Sequence, residues 1–119
     1  MRLIIAGSRA ITDYRIIIEA LDASPWQACE IDEVVSGCAR GVDTLGEQWA
    51  AVRRIPVTRC PAEWDKYERS AGPIRNSQMA ARADALLLIW DGKSRGSASM
   101  KREAEKRGLK IYEYIVEAH

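Results

Sequence analysis

Four short segments of the sequence carry both glycine and arginine, and three of them add hydroxyl side chains. Glycine lets the backbone approach a ligand closely, free N–H groups at the start of a helix favour negative charge, and arginine can grip a phosphate through two hydrogen bonds. This combination indicates a site for a small anion. The four segments are Gly-Ser-Arg at 7–9, Ser-Gly-Cys-Ala-Arg-Gly-Val-Asp at 36–43, Gly-Pro-Ile-Arg-Asn at 72–76 and Asp-Gly-Lys-Ser-Arg-Gly-Ser at 91–97.

The elements that must position these segments are the strands of a parallel sheet. Short apolar runs alternate with helical patterns along the chain, which is typical of βαβ units. The run Leu-Leu-Leu-Ile-Trp at 86–90 is continuously apolar, so we expect its strand to be central and covered on both faces. The predicted strands are Arg2 to Ala6, Glu33 to Ser36, Pro56 to Cys60, Ala85 to Trp90 and Lys110 to Tyr114.

Four helices are predicted between the strands. The clearest runs from about Val42 to Arg54, and its apolar spacing puts Trp49 in the core. The long segment 61–72 shows no such period, so we expect an irregular loop there and consider it a candidate lid. The other helices are predicted near Asp13 to Ala23 with Thr12 as N-cap, from Gly72-Pro73 onward, and from near Ser97 to a C-cap at Gly108.

These elements predict one α/β domain over residues 1–119, a three-layer sandwich whose five-stranded parallel sheet has the order 3-2-1-4-5. Ligands of such sheets bind at the carboxyl edge where the strand order reverses, here between the first and fourth strands. Each glycine-rich turn alone has a structural explanation, but their convergence on one edge favours a site. The candidate ligand-binding residues are Gly7, Ser8, Arg9, Ser36, Gly37, Gly41, Asp43, Arg75, Asn76, Asp91, Gly92, Ser94, Gly96 and Ser97.

Two of these candidates are acids, and each has more than one interpretation. Asp43 falls in the first turn of its predicted helix, where the helix dipole stabilises a carboxylate. Helix capping and a hydrogen bond to a ribose hydroxyl are therefore both open. Asp91 ends the most apolar strand, and a hydrogen bond to a ligand or within the turn is favoured over a free surface charge.

Composition and charge exclude several function classes. The chain has 119 residues, 47% of them hydrophobic, and a formal net charge of +1, so no global field directs it to a polyanion or a membrane. No apolar run approaches the roughly 20 residues that a spanning helix needs. The phosphate-binding pattern G-x-x-x-x-G-K-[ST] and the dinucleotide pattern G-x-G-x-x-G are both absent, so neither ATP hydrolysis nor ordinary dinucleotide binding follows.

Cysteine and histidine give no support for metal or histidine chemistry. Cys29, Cys38 and Cys60 show no C-x-x-C spacing, and His119 is the only histidine. We predict no metal and no cofactor, and we expect the three cysteines to be small buried hydrophobes. Their odd number and the lack of a signal peptide favour a reducing compartment, so we expect a cytoplasmic protein.

The motifs together resemble the SLOG superfamily, the Rossmann-like group that joins DprA-like DNA-uptake proteins to the LOG cytokinin-activating phosphoribohydrolases. Residues 36–43 are similar to the S-G-x-A-x-G-[IV]-D turn of DprA-like proteins. The small YspA-like branch matches best, because its elements occur here in the same order over nearly the whole chain. They are Gly7-Ser8-Arg9, Pro61-Ala62-Glu63-Trp64, Ala71 to Asn76 with Met79, and the turn from Asp91 to Ser97.

This resemblance implies binding of a nucleotide or nucleotide-derived molecule, such as a nucleoside monophosphate or an ADP-ribose-like compound, at the carboxyl edge. Members are thought to act as ligand sensors, often in bacterial or phage conflict systems, or as nucleotide-processing enzymes. LOG enzymes cleave an N-glycosidic bond with an arginine from R-K-x-x-M and a glutamate from P-G-G-x-G-T-x-x-E. Arg75 and Met79 match the first motif, but Met100 stands at the position of the glutamate.

Whether the chain is an enzyme is therefore left open by its sequence. A non-catalytic binder is favoured, because a thioether cannot stabilise an oxocarbenium-like charge as a carboxylate does. An enzyme, a nucleotide phosphoribohydrolase or a deoxyribosyltransferase-like protein, would use Arg75 with Glu103 or Asp43. DprA-like binding of single-stranded DNA is disfavoured, since no extended basic groove is visible. Trp64 is open to two interpretations, stacking on a base or closing its loop onto the core, and a homodimer is an option because LOG-like relatives pair through helices.

Overall fold

Five parallel strands form one sheet in the computed structural model, which describes residues 1–117. The sheet order β3-β2-β1-β4-β5 and the helices on both faces confirm the predicted α/β, Rossmann-like fold. His119 lies outside the described residues. The strands are β1 (Arg2–Gly7), β2 (Glu33–Ser36), β3 (Val57–Arg59), β4 (Ala85–Trp90) and β5 (Lys110–Ile115).

Five α-helices connect and follow these strands. The first is capped by Asp13, whose Oδ1 accepts a hydrogen bond from the N–H of Arg15 at 3.0 Å, and not by Thr12 as predicted. None of the helices within residues 1–117 combines the length and the hydropathy needed to cross a membrane. The helices are α1 (Tyr14–Ala23), α2 (Val42–Val52), α3 (Trp64–Tyr67), α4 (Ala71–Arg82) and α5 (Arg95–Lys106), with 3-10 turns at Ala28–Glu30 and Glu68–Ser70.

The prediction of an irregular loop over residues 61–72 is wrong. The short helix α3, a 3-10 turn and the first residues of α4 follow one another there with little irregular backbone between them. The pattern was not visible in the sequence because a single turn of helix is too short to show a repeating apolar face. The segment is therefore an arm of short helical turns that leads into α4.

Each face of the sheet has its own layer of helices. Successive side chains of a strand point to opposite faces, so Ile5 packs toward α1 and α2 while Ile4 packs toward α4 and α5. Trp49 is buried on the first side, as predicted. All six residues of β4 are buried, which confirms that this apolar strand is central.

The prediction that all three cysteines are buried is wrong. Cys29 is exposed on a 3-10 turn, and Cys38 and Cys60 are only partly buried in the loops after β2 and β3. Each of the three therefore lies outside the strands and α-helices whose side chains form the core. Cys38 also has a positive φ of 63°, in the left-handed region that turns favour.

Gly7 at the end of β1 allows a close backbone contact with β4. It pairs with Ile89 of β4, and the N–H of the following Ser8 donates to the Ile89 carbonyl at 3.0 Å. A Cβ at position 7 would overlap that carbonyl. Glycine is therefore required here by the packing of the chain against itself.

Replacing Gly7 by alanine should destabilise the protein, because β1 and β4 would have to separate where their hydrogen bonds end. We expect Gly7→Ala to lower the free energy of unfolding by about 2–3 kcal/mol in urea titrations. Gly96→Ala is the matched control, since a Cβ at Gly96 would meet no atom within 4 Å. Equal effects of the two substitutions would contradict the assignment.

Candidate functional site

A cleft of about 400 Å³ opens at the carboxyl edge of the sheet, on the side that α4 and α5 cover. Its apolar lining includes Ala6 of β1, Met79 of α4 and Met100 of α5. The cleft begins where β1 ends, and β1 has β2 on one side and β4 on the other. It therefore lies where the strand order reverses, the usual ligand position of such sheets.

The cleft brings together nine of the residues predicted to bind a ligand. They come from the end of β1 and the turn after it, from the first turns of α2 and α5, and from α4, so only the fold makes them neighbours. The nine are Gly7, Ser8, Arg9, Asp43, Arg75, Asn76, Ser94, Gly96 and Ser97. Ser36, Gly37, Gly41, Asp91 and Gly92 do not line this cleft.

Sequence reasoning missed five residues that line the cleft. Met79 and Met100 belong to the motifs described above, but methionine is so common in protein cores that its type does not indicate a residue that lines a cleft. The alanines gave no signal, because a small apolar residue in a turn has no chemistry to detect. The five are Ala6, Ala10, Ala39, Met79 and Met100.

The first turn of α5 presents polar groups to the cleft. Ser94 is the N-cap: its Oγ accepts from the N–H of Ser97 at 3.5 Å, and its carbonyl accepts from the N–H of Ala98 at 3.0 Å. The Ser97 side chain is buried, and its Oγ finds no hydrogen-bond partner within residues 1–117. Buried hydroxyl groups are rarely left unpaired in folded proteins, so this atom requires an explanation.

Asp91 shapes the turn before α5. Its Oδ1 accepts from the N–H of Lys93 at 2.9 Å and from the N–H of Ser94 at 3.1 Å, and these bonds lower the pKa of its carboxyl group. Gly92 has a φ of 82°, which suits glycine. Asp91 lines a recess beside α1 and not the cleft, and both of these hydrogen bonds lie within the turn.

The turn between β2 and α2 packs against the turn after β1. Gly41 has a φ of 76°, and a Cβ there would overlap the backbone of Ser8 and Arg9. The N–H of the next residue, Val42, donates to the Ser8 carbonyl at 3.2 Å. Gly41 is thus a packing residue between two turns of the edge.

Ser36 stabilises the turn between β2 and α2 through two hydrogen bonds of its side chain. Its Oγ donates to Oε2 of Glu47 at 2.5 Å and accepts from the N–H of Cys38 at 3.1 Å. Glu47 in turn pairs with Arg59 at the end of β3, Nε to Oε1 at 3.2 Å. Ser36 therefore contributes to the site by positioning the backbone.

Arg75 and Asn76 build the wall of the cleft on α4. The Arg75 guanidinium donates to the Gly37 carbonyl at 2.5 Å and to Oδ1 of Asn76 at 2.9 Å. Asn76 is buried and donates from Nδ2 to Oγ of Ser99 at 3.2 Å, which ties α4 to α5. A Cβ at Gly37 would lie 2.9 Å from Nη1 of Arg75, so glycine leaves room for this arginine.

Asp43 is buried against this wall and does not cap its helix. The N-cap of α2 is Gly41, and Oδ2 of Asp43 instead accepts from the N–H of Ala39 at 3.3 Å, ahead of the helix. Burial raises the pKa of its carboxyl group to about 6, although the Ala39 N–H and the Arg75 guanidinium act in the opposite direction. Perturbed carboxyl groups in clefts are typical of functional sites.

Glu103 does not line the cleft. Its Oε1 faces Nζ of Lys106 at 3.4 Å, further from the start of α5 than Met100. Met100, in the position where LOG enzymes carry glutamate, is buried and lines the cleft. Asp43 is the one carboxylate among the cleft's described lining residues, and residues 1–117 contain no cluster of three or more metal-ligating side chains.

Comparisons with known proteins identify similar sequences and a similar fold. The model of the family described as "YAcAr: YspA, cpYpsA-related SLOG family" matches residues 1–67. "Gene 61 protein" of Mycobacterium phage D29 is 32% identical over 119 residues, covering 95% of each chain. The solved structure of DNA processing protein A (DprA) from Streptococcus pneumoniae matches with a TM-score of 0.65 at 18% identity, covering 94% of this chain and 49% of that one. The chain thus spans about half of the DprA chain, and at this identity the likeness shows a shared fold.

The raised pKa of Asp43 predicts how stability depends on pH. The folded-state pKa of about 6 lies above the ordinary 3.8, so the neutral carboxyl favours folding below pH 4 and this contribution is lost as pH rises through 6. At about 1.4 kcal/mol per pKa unit, burying the ionised form costs on the order of 3 kcal/mol. Asp43→Asn should therefore match the wild type near pH 4 and exceed its free energy of unfolding by about 1–3 kcal/mol at pH 7.5.

Urea unfolding at several pH values measures this difference. Asp22→Asn is the control, because Asp22 is exposed on α1. If Asp43→Asn raised the free energy of unfolding by the same amount at every pH from 4 to 7.5, titration of Asp43 would not be the cause of the increase.

Proposed function

The chain belongs to the YspA, cpYpsA-related SLOG family, and on this premise we propose that it binds a nucleotide or nucleotide-derived small molecule in the cleft at the carboxyl edge. One observation carries the proposal: the first turn of α5 opens into the cleft with the unpaired, buried hydroxyl of Ser97. A phosphate oxygen bound there would give this hydroxyl its missing partner.

The phosphate end of the ligand is best accommodated at α5. The first N–H groups of a helix lack partners within it and carry a partial positive charge, so they attract anions. Gly96 has no side chain to cover them. Arg9 is exposed beside the cleft and pairs with no carboxylate among the described residues, so it is free to add charge-assisted hydrogen bonds.

The sugar end is best accommodated between Asp43 and Arg75. The carboxylate of Asp43 is an acceptor for ribose hydroxyl groups, while Arg75 is already bonded to Gly37 and Asn76. Arg75 thus acts more as the support of this wall than as a free phosphate ligand. A cleft of about 400 Å³ lies in the usual size range for a small ligand. This volume favours a nucleoside phosphate over a longer polymer.

A sensing role is the form of this function that the residues support best. Met100 gives the cleft a thioether where LOG enzymes have their glutamate, so binding without turnover is expected. Family membership itself supports only a nucleotide-related role. The relative from a phage is in keeping with the conflict systems in which SLOG proteins occur.

Asp43 favours a second candidate, cleavage of the N-glycosidic bond. Its carboxyl group lies in the cleft with a pKa raised to about 6, so it is ionised at neutral pH while being shielded from water. Such a carboxylate can stabilise positive charge that develops on the sugar ring as the base departs. The positive charge of Arg75 on α4 would then favour the ionised form of Asp43.

The binding proposal predicts that nucleoside monophosphates or ADP-ribose stabilise the protein. Ligand at a hundred times Kd adds about 2.7 kcal/mol to the free energy of unfolding, which raises Tm by several degrees. Gly96→Asp should remove this rise without lowering Tm in the absence of ligand, because a carboxylate in the first helical turn suits the helix but repels a phosphate. Thermal shift measurements test both effects.

Gly96→Asn is the matched control, since it has the same shape without the charge and should retain more of the ligand effect than Gly96→Asp. Single-stranded oligonucleotides at physiological salt form a further arm, in which a shift larger than that of the mononucleotides would favour nucleic-acid binding instead. No response of the wild type to any nucleotide would overturn the proposal.

The enzyme candidate predicts release of free base from nucleoside monophosphates, detected by chromatography. Activity should rise with pH up to a plateau above about 6, where Asp43 is ionised, and Asp43→Asn should reduce the rate by at least about 100-fold. Glu103→Gln serves as control and should leave the rate unchanged. Release that survives Asp43→Asn would exclude Asp43 as the catalytic carboxylate.

A further inference from the structure

Trp64 differs from the other tryptophans of the chain in its exposure. The side chains of Trp26, Trp49 and Trp90 are at most 9% exposed, whereas Trp64 on the short helix α3 is 51% exposed. Leaving this much aromatic surface in water is unfavourable, because the hydrophobic effect favours its burial. An exposed indole beside a cleft is therefore a candidate contact for a ligand.

Trp64 is held in place on the side of α4. Its Cη2 lies 3.5 Å from the position that a Cβ on Gly72 would take, an ordinary packing distance. Gly72 is buried in the first turn of α4, so one edge of the indole rests on the helix that also carries Arg75. About half of the residue's surface stays open to solvent while one edge of its ring packs on α4.

A second recess connects Trp64 to the cleft. It has a volume of about 270 Å³, and its lining includes Trp64, Pro61, Arg40 and Cys38. Arg9 and Ala39 line this recess and the cleft alike. The two spaces therefore adjoin at these residues, and together they lie along the carboxyl edge from the start of α5, past the ends of β1 and β2, to α3.

The recess combines an aromatic surface with positive charge. Arg9 and Arg40 are exposed, and neither forms an ion pair with a carboxylate within the described part of the chain. Nucleobases stack on indole rings, and guanidinium groups pack against base planes or bind phosphate. This chemistry suits a flat heteroaromatic group attached to an anionic sugar phosphate.

We propose that the Trp64 recess is the base subsite of the ligand, in which the nucleobase stacks on the indole while the sugar phosphate occupies the cleft. This inference rests on the proposed function, because it assumes a nucleotide in the cleft. Stacking recognises the aromatic plane and not particular hydrogen-bonding groups, so all four common bases should be accepted with modest differences. Arg9 lines both spaces, so it is placed to bind the anionic part of the ligand beside the stacked base.

The test compares a ligand that has a base with one that lacks it. Calorimetry gives Kd values of ribose 5-phosphate and of adenosine, guanosine, cytidine and uridine monophosphates for the wild type, Trp64→Ser and Trp64→Phe. Trp64→Ser should weaken the nucleotides by about 5- to 100-fold and leave ribose 5-phosphate within about twofold. Trp64→Phe should restore most of the loss, because phenylalanine retains an aromatic face.

Val52→Ser is the matched control, since Val52 is an exposed apolar residue at the end of α2, outside both lining sets. Tryptophan fluorescence gives a second readout: nucleotides should quench the wild type more than Trp64→Phe, and ribose 5-phosphate should quench neither. A Trp64→Ser variant that is folded by circular dichroism and binds nucleotides like the wild type would overturn the base subsite and leave the proposed function intact. An equal loss for ribose 5-phosphate and nucleotides would also overturn it, and a wild type that binds none of these probes would overturn the proposed function itself.

Discussion

The backbone of Ser8 is the point on which the carboxyl edge depends. Its N–H donates to the carbonyl of Ile89 in β4, and its own carbonyl accepts from Val42 at the start of α2. One residue thus joins the turn after β1 to β4 and to the start of α2, three segments that are distant in sequence. Gly7 and Gly41 lie beside Ser8, and the absence of a side chain at each lets these backbone segments approach closely. On this side the rim of the cleft is held by hydrogen bonds between backbone groups.

The opposite wall is held by side chains instead. Arg75 reaches from α4 to the carbonyl of Gly37, and Asn76 reaches to α5. Asp43 lies buried beside Arg75. Its carboxyl group is shielded from water, yet it forms no salt bridge with any of the described residues. Removing one member of such a network leaves another buried polar group unpaired, so its members act as a unit.

The strand order and the edge at which a cleft opens could be predicted because parallel βαβ chains allow few arrangements. The role of each glycine could not be predicted, since a sequence does not tell whether the space beside a glycine is occupied by the protein itself or left for a ligand. The space beside Gly41 is occupied by the turn after β1, whereas the space beside Gly96 is empty. Glu103 was a candidate because it shares a helix with Met100, but it lies further from the start of α5 and outside the cleft. Cys29, Cys38 and Cys60 were misjudged because burial was inferred from residue type alone.

The shortness of β3 has a consequence for how the molecule behaves in a crowded solution. β3 is an edge strand of three residues, with Pro56 before it and Pro61 shortly after, and it ends at Arg59. Proline has no N–H to offer another chain, and a charged residue on an edge opposes strand addition. The sheet edge at β3, which leads into the segment with the exposed Trp64, therefore offers only a short row of unpaired backbone groups. An exposed aromatic surface can be kept there at low risk of self-association through the backbone.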